Sequence, residues 1–367
     1  MRILVFDAGP VDAAISSMTS ALSLRHEVES FPYNQRAMPL RGRPSKWRPL
    51  KRMASLAVTG ATSLAGAPRT AFADRALLKH IAGKHYDLVL VLRIPMMPPE
   101  IVAALKATGA VVVGWYMDAI VNVKDARFVH APYDRVFFKD KVTVDRFRGG
   151  LADARYDFLP DGFNPENHRP VSVSDTERAA APDVVTYGNG YPFRAKLMAE
   201  LVADPALRVV IHGVPQRGTD DALRSLYAPP IFGRAKSKAV RAAKVALNTN
   251  HFGEIGGINK RTFEMAGAGA FELTDGPTIG EYFEPGREIA TFAGPAELLE
   301  RVRWYVDRPE ERARIAEAGM ARAWREHTYH HRLNALFASI PALASERPLP
   351  VPAGAPGPDD VVTYVEP

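Results

Sequence analysis

Lys260 and Arg261 stand at the start of a stretch, GGINKRTFEMAGAGAFELTD (256–275), that reads as loop, short helix and strand. Gly256 and Gly257 loosen the backbone and Asn259 is a good N-cap. The spacing predicts a helix over 260–268 closed by Gly269, then a strand over 271–274. A helix N-terminus already carries partial positive charge, so two cations there cost stability unless an anion lies close. Glu264 is one turn further on, on the same face, but a cation placed before a glutamate is the less favourable order for a surface pair. The residues fit better an anion at the helix start, held by Arg261 and backbone N–H groups, with Glu264 accepting from neutral hydroxyls. A diphosphate beside a ribose has that layout.

Other candidates follow runs that read as strands. VVTYGNGYPFR ends in Gly188, Asn189 and Gly190 and carries Arg194 into the next helix, which suits either a tight turn with a solvated arginine or close approach to a phosphate. VVIHG places His212 after a strand, in a structural or a functional role. VALNTN places Asn248 and Asn250 after another, where an asparagine serves turn chemistry or reads a sugar hydroxyl or base edge. In GWYMDA, Asp118 is a general base or the cap of the next turn. Gly9, Pro10 and Asp12 form a loop at the same expected rim. GxGxxG, GxxxxGK[ST] and HExxH are all missing, which disfavours dinucleotide, P-loop and zincin chemistry. His327, His330 and His331 cluster in sequence, but the last two diverge around a helix, so no metal site is expected.

Strands and helices alternate to position these residues. Runs at 2–7, 26–33, 86–92, 110–117, 133–138 and 155–159 read as strands, separated by helical spacing at 11–24 and 71–82. The near-continuous apolar runs indicate a parallel sheet covered on both faces. A polar, turn-rich segment from Leu159 to Thr186 reads as an interdomain linker. The alternation then restarts: strands at 183–187, 207–211, 245–248 and 289–292, helices at 193–202, 236–244 and 296–306. A long helical region from Pro309 breaks near His327, with Thr328 capping a last helix. Ligands in such folds bind outside the carboxyl ends of strands. The expected division is a first Rossmann-like domain over 1–165 and a second over 166–326. A terminal helix over 327–345 packs back toward the first, and a Pro-rich disordered tail covers 346–367.

The chain has 367 residues, 47% of them hydrophobic, enough for two cores. With no cysteine, disulfides and thiolate chemistry are excluded. The N-terminal apolar run is too short for a secretory signal and no stretch can cross a bilayer, so a soluble, cytoplasmic protein is expected. The net charge of +6 is concentrated in Arg36, Arg41, Arg43, Lys46, Arg48, Lys51 and Arg52. This segment is a solvated loop or a peripheral contact with anionic lipid at the inner face of the membrane, or with an acidic acceptor polymer. No nucleic-acid motif accompanies it.

The stretch NKRTFEMAGAGAFELTDGPTIGEYFEPGREIATF (259–292), followed by AELLERVRWYVDRPEERARIAEAGMARAWREHTYHHR, resembles the C-terminal domain of CgeB-like GT-B glycosyltransferases of the spore-maturation or family 1 type. The resemblance runs from about Asp183 to Arg332, with FLPDGFNP similar to the entry of that domain and weaker likeness in WYMD and FFKD. It implies an α/β, GT-B-like fold of two Rossmann-like domains whose parallel sheets face across a cleft. It implies a nucleotide-sugar donor held mainly by the second domain, with Glu264 on the ribose and the Gly256–Asn259 loop, including Gly257, cradling the diphosphate. Arg194 and Arg261 would balance its charge, and Gly188, Asn189 and Asn248 would complete the donor site. The E-x7-E pattern of many retaining members would put its first glutamate at Gly256, so the stereochemistry stays open. An inverting enzyme would use a base such as Asp118, and His212 is a further catalytic candidate. No cofactor and no metal are expected. The acceptor, whether glycan, lipid-linked or protein, is not specified. A nucleotide-sugar epimerase and a catalytically silent scaffold are the other readings.

Overall fold

The computed structural model describes residues 1–7, 14–33, 71–92, 94–123, 126–188, 190–215, 219 and 221–357. The basic segment, the Gly9–Asp12 loop and Asn189 lie outside the described residues, as does the tail from 358. The chain forms two compact units, one of residues 1–117, 122–138 and 151–157, the other of 118–121, 139–150 and 158–367.

In the first unit β1 (Arg2–Asp7), α1 (Ala14–Ser23), β2 (Glu27–Pro32), α2 (Ala71–Ile81), β3 (Leu88–Val91), α3 (Pro99–Lys106), β4 (Val111–Tyr116) and β5 (Arg135–Phe138) alternate. Helix α4 (Lys141–Leu151), all but its last residue in the second unit, follows, and β6 (Tyr156–Phe158) completes a six-stranded sheet of order β2-β1-β3-β4-β5-β6. All four residues of β3 are buried, as an interior parallel strand requires.

The second sheet is built from β7 (Val184–Tyr187), β8 (Val209–His212), β9 (Tyr227–Ala228), β10 (Val245–Asn248), β11 (Glu272–Thr274) and β12 (Ala290–Thr291). Its order is β12-β11-β10-β7-β8-β9, and every recorded pairing is parallel. The strands run outward in both directions from the β7–β10 pair, so the topological switch point lies there. Its helices are α5 (Asp175–Ala180), α6 (Pro192–Leu197), α7 (Ala199–Ala203), α8 (Asp221–Ser225), α9 (Arg234–Ala242), α10 (Lys260–Gly267), α11 (Pro295–Val306), α12 (Pro309–Glu326) and α13 (Tyr329–Ser339).

Strand alternation sorts the side chains between two cores. Val184 and Leu247 join Leu197, Leu201, Leu298 and Val302 on one face. Val185, Tyr187 and Ala246 face the other, with Val240 of α9 and Met265 of α10. This alternation puts the Tyr187 ring beneath α10. Asn259 caps α10, its Oδ1 accepting from Arg261 N at 3.0 Å, and Thr328 caps α13.

Three expectations are corrected. The segment read as a linker belongs to the second unit: Asp161, Phe163, Asn164, His168 and Val171 are all buried, and Phe163 pairs with Thr328. It also contains α5, whose Ser174 and Glu177 form a reciprocal capping box. The helix expected over 193–202 is two short helices joined through Met198, which turns Leu197, Met198 and Leu201 together into the core. The tail is not free from 346 onward, because Leu349 is buried and exchanges both backbone hydrogen bonds with the Asn334 side chain.

Candidate functional site

The carboxyl ends of β7 and β10 lie at the switch point, where open α/β sheets bind ligands. Directly after β7 comes Gly188 with φ of +115°, a conformation that favours glycine. A Cβ there would lie 3.5 Å from Arg261 Nη1 and 3.6 Å from Arg194 Nη1, so two guanidinium groups converge behind this one residue. Directly after β10 comes Thr249, fully buried. Arg194 donates through Nε to its hydroxyl at 2.5 Å and through Nη2 to its carbonyl at 3.1 Å. Arg261 donates to the same carbonyl at 2.7 Å and to Tyr187 O at 2.8 Å. Strand ends leave carbonyls without ladder partners, and the arginines satisfy them. Burial, and then the neighbouring Arg261, pushes Arg194 down to about 9. Burial also lowers Arg261, against Tyr187, Glu264 and Asp275, which favour its charge.

Glu264 occupies different surroundings from those expected. It is 3% exposed. Its Oε2 accepts from the Tyr187 hydroxyl at 2.9 Å and from Lys236 Nζ at 3.4 Å. Oε1 lies 3.3 Å from Lys260 Nζ and 3.6 Å from His168 Nε2. Burial pushes this carboxyl up, but Lys236, Lys260, His168 and the Tyr187 hydroxyl outweigh it and hold it well below the usual carboxylate range. A carboxylate has about four acceptor directions, and four groups of this chain surround Glu264. Lys260 thus finds its counter-charge within its own helix, in the i,i+4 pair the sequence disfavoured. That order is unfavourable on a surface, but Glu264 is buried and needs a cation wherever one can reach.

The two glycines of the loop also serve the chain itself. Gly256 N donates to Asp140 Oδ2 at 2.9 Å, and a Cβ at Gly256 would come within 2.6 Å of Val142 and 2.8 Å of Asp140. At Gly257 it would meet Lys139 O at 2.7 Å. The close approach is to residues 139–142, locked further by a buried Lys139–Glu254 ion pair at 2.5 Å. Asn248 is likewise engaged. Its amide donates to Thr262 Oγ1 and Glu272 Oε1, and its oxygen accepts from Asn259 Nδ2 at 3.1 Å. Asn259 also donates to Asn250 Oδ1 at 2.7 Å, while Asn250 N donates to Asp275 at 2.6 Å. These asparagines stitch the ends of β10 and β11 to the start of α10.

The two catalytic candidates make local contacts of their own. Asp118 is exposed and its Oδ1 accepts from Ala119 N at 2.8 Å, the turn-capping role. His212 turns Nδ1 to Pro229 O at 3.0 Å, although its own carbonyl accepts from Gly188 N. Among the described residues no three His, Cys, Asp or Glu side chains gather as metal ligands. His327 donates from Nε2 to Tyr282 O and accepts at Nδ1 from Arg332, and burial followed by Arg332 pushes it down to about 3. Sequence reading missed Thr249, Tyr187, His168 and Lys236, along with Asp161. Asp161 is 1% exposed, its Oδ1 has no hydrogen-bond partner, and burial pushes it up to about 7 against Lys139 and Lys260.

Residues 194–338 match the family described as glycosyl transferase-like. Spore protein CgeB of Bacillus subtilis is 28% identical over 176 residues, taking in 42% of this chain and 52% of that protein. The chain therefore spans about half the length of this curated relative. Sucrose-phosphate synthase from Thermosynechococcus elongatus superposes with a TM-score of 0.62 at 13% identity, over 92% of this chain and 99% of that one. Anabaena HepE in complex with UDP-glucose gives 0.61 at 13% identity, over 94% and 100%. No helix among the described residues is long and apolar enough to cross a membrane. In sequence the chain is similar to CgeB over part of its length, and in structure its two parallel six-stranded sheets give it the GT-B fold that it shares with these solved structures.

Proposed function

We propose that the chain is a glycosyltransferase that moves a sugar, a hexose in our reading, from a nucleotide-sugar donor to an acceptor hydroxyl. The observation that carries this is the pair Arg194 and Arg261, fixed by the Thr249 and Tyr187 carbonyls beside Gly188 at the switch point. Two like charges held side by side suit a diphosphate. As the bond from the anomeric carbon to phosphate breaks and the acceptor oxygen takes its place, negative charge grows on the departing diphosphate. Guanidinium groups already oriented there stabilise that charge without reorganising. They supply it without a resident metal, so the reaction should withstand chelation by EDTA. Asp118, an exposed carboxylate just after β4, is the group we assign to the acceptor proton if configuration inverts.

The donor reading is supported by the UDP-glucose complex of the HepE neighbour. The test is a melting-temperature panel of UDP-, GDP- and dTDP-sugars. At least one nucleotide family should raise the melting temperature, and Arg194→Gln with Arg261→Gln should abolish the rise. No response to any of them would remove the reading and favour a silent scaffold. Epimerisation of the donor in the absence of acceptor would favour the epimerase.

A further inference from the structure

Next to the guanidinium pair an unbroken series of aromatic rings leads out to the surface. The Arg194 guanidinium lies 5.9 Å from the Tyr191 ring. Tyr191 meets His251 edge-on, with centroids 4.8 Å apart. His251 leans on Phe252 at 4.3 Å, and Phe252 on Phe193 at 6.3 Å. The outer members are large and uncovered: Phe252 is 61% exposed and Phe193 48%. All belong to the second unit. Both segments that bear them are tied to the site, since Phe193 immediately precedes Arg194 in α6 and His251 follows Thr249 and Asn250 just beyond β10.

Two large apolar side chains leaning on each other and left in water beside a polar site mark a binding surface. Its chemistry selects the occupant. The hydrogen-bonding members of the series, Tyr191 and His251, stand between Arg194 and Phe252, whereas the two outer phenyl groups neither donate nor accept, so the surface is polar toward the arginine and apolar beyond it. The Phe193 and Phe252 rings are tilted by 56°, so they do not form the parallel slot a flat base would enter. An alkyl or isoprenoid chain needs neither hydrogen-bonding groups nor such a slot. Continuity with Arg194 then sets the direction: the polar, reacting end lies toward the guanidinium pair and the chain runs outward over the rings. We propose that the acceptor is an amphiphile whose aliphatic part docks on Phe193 and Phe252. This inference rests on the glycosyltransferase reading above and names the acceptor class for it.

The test uses the full chain with UDP present and n-decyl β-maltoside, below its micelle-forming concentration, as the probe, with maltose as its chain-free counterpart. Saturation-transfer NMR should place the decyl protons, more than the sugar protons, against the protein, and maltose should bind far more weakly. Phe193→Ser with Phe252→Ser should weaken decyl maltoside on the order of tenfold or more. Both positions are exposed, so the melting temperature without ligand and its rise with UDP-glucose should stay as in the wild type. Undiminished binding of the probe by the double variant overturns the proposal, as does maltose binding as tightly as the decyl compound. Loss of the UDP-glucose response in the double variant overturns it too, because the rings would then serve the donor. A wild-type chain that ignores every nucleotide sugar but still binds the decyl chain through these rings defeats the glycosyltransferase reading, and the acceptor assignment with it, while leaving the apolar surface itself in place.

Discussion

Replacing Glu264 by glutamine separates two accounts of this residue. Glutamine keeps the shape and one acceptor oxygen but removes the charge that faces Lys236, Lys260 and His168. Lys260 can turn toward water, since its side chain is 36% exposed, whereas that of Lys236 is only 10% exposed. Breaking a buried ion pair from one side costs about 3–5 kcal/mol. Lys236 keeps its position 4.9 Å over the Tyr187 ring, so the lower end, about 3 kcal/mol, is expected. For a unit of this size that lowers the melting temperature by about 6–12 °C. Adding Lys236→Met should return most of it, because the orphaned charge is then gone. The dependence on pH has a fixed sign. Glu264 is depressed in the folded state, so its contribution is complete above the unfolded carboxyl value near 4.3 and is lost as pH falls through the folded value. Scanning calorimetry should therefore show a constant gap between wild type and variant from about pH 8 to pH 5, narrowing below about pH 4. A gap below about 2 °C at pH 7, or one that widens in acid, would refute the buried-cluster account. A variant as stable as wild type that has lost only its response to nucleotide sugars would return Glu264 to the ribose.

Arg261→Lys removes the fork that bridges the Tyr187 and Thr249 carbonyls. It should cost about 1–2 kcal/mol in chemical denaturation and suppress the donor-induced melting shift, and an unchanged shift would place the diphosphate elsewhere. Gly256→Ala drives a methyl into Val142 and Asp140 and should destabilise by about 1–3 kcal/mol; a stable variant that only loses donor binding would mean the glycine serves the ligand instead. Asp161 is raised in the folded state, so its ionisation weakens the fold as pH climbs from about 4 towards 7. Asp161→Asn should flatten that slope in melting curves, and an unaltered slope would show that Asp161 does not titrate there. Activity measured after exhaustive EDTA treatment should equal that of untreated protein, and loss restored by a divalent cation would overturn the metal-free reading.

What was legible from the sequence was what short-range chemistry decides. Asn259 and Thr328 are caps because their side chains reach amides only two or three residues on. The β3 run and the restart at Val184 are strands because apolar continuity needs no distant knowledge. The capping box at Ser174 and Glu177 was equally local and was overlooked because the surrounding turn formers suggested a linker. The partners of Glu264 were not legible. Tyr187, His168, Lys236 and Lys260 come from four separate segments, and only Lys260 stands at a spacing that sequence can interpret. Glycines carry a deeper ambiguity. A backbone that must be approached closely looks the same whether the approaching group is a phosphate or, as at Gly257, the chain's own Lys139 carbonyl.

The two cations at the start of α10 have different reasons for being there. Lys260 answers a demand internal to the fold, a buried carboxylate one turn away. Arg261 answers the unpaired carbonyls where β7 and β10 stop, and so does Arg194 at Thr249. Parallel strands that end together at a switch point always leave such acceptors, and a guanidinium can satisfy two of them while keeping its charge. Being held by carbonyls rather than by a carboxylate has a consequence. The Arg261 hydrogen bonds immobilise the cation without neutralising it, so positive charge is fixed in direction. A reaction that sheds a diphosphate needs charge in that state. The strand ends and the catalysis we propose thus draw on the same two side chains, whereas the lysine beside them serves the buried carboxylate of its own helix.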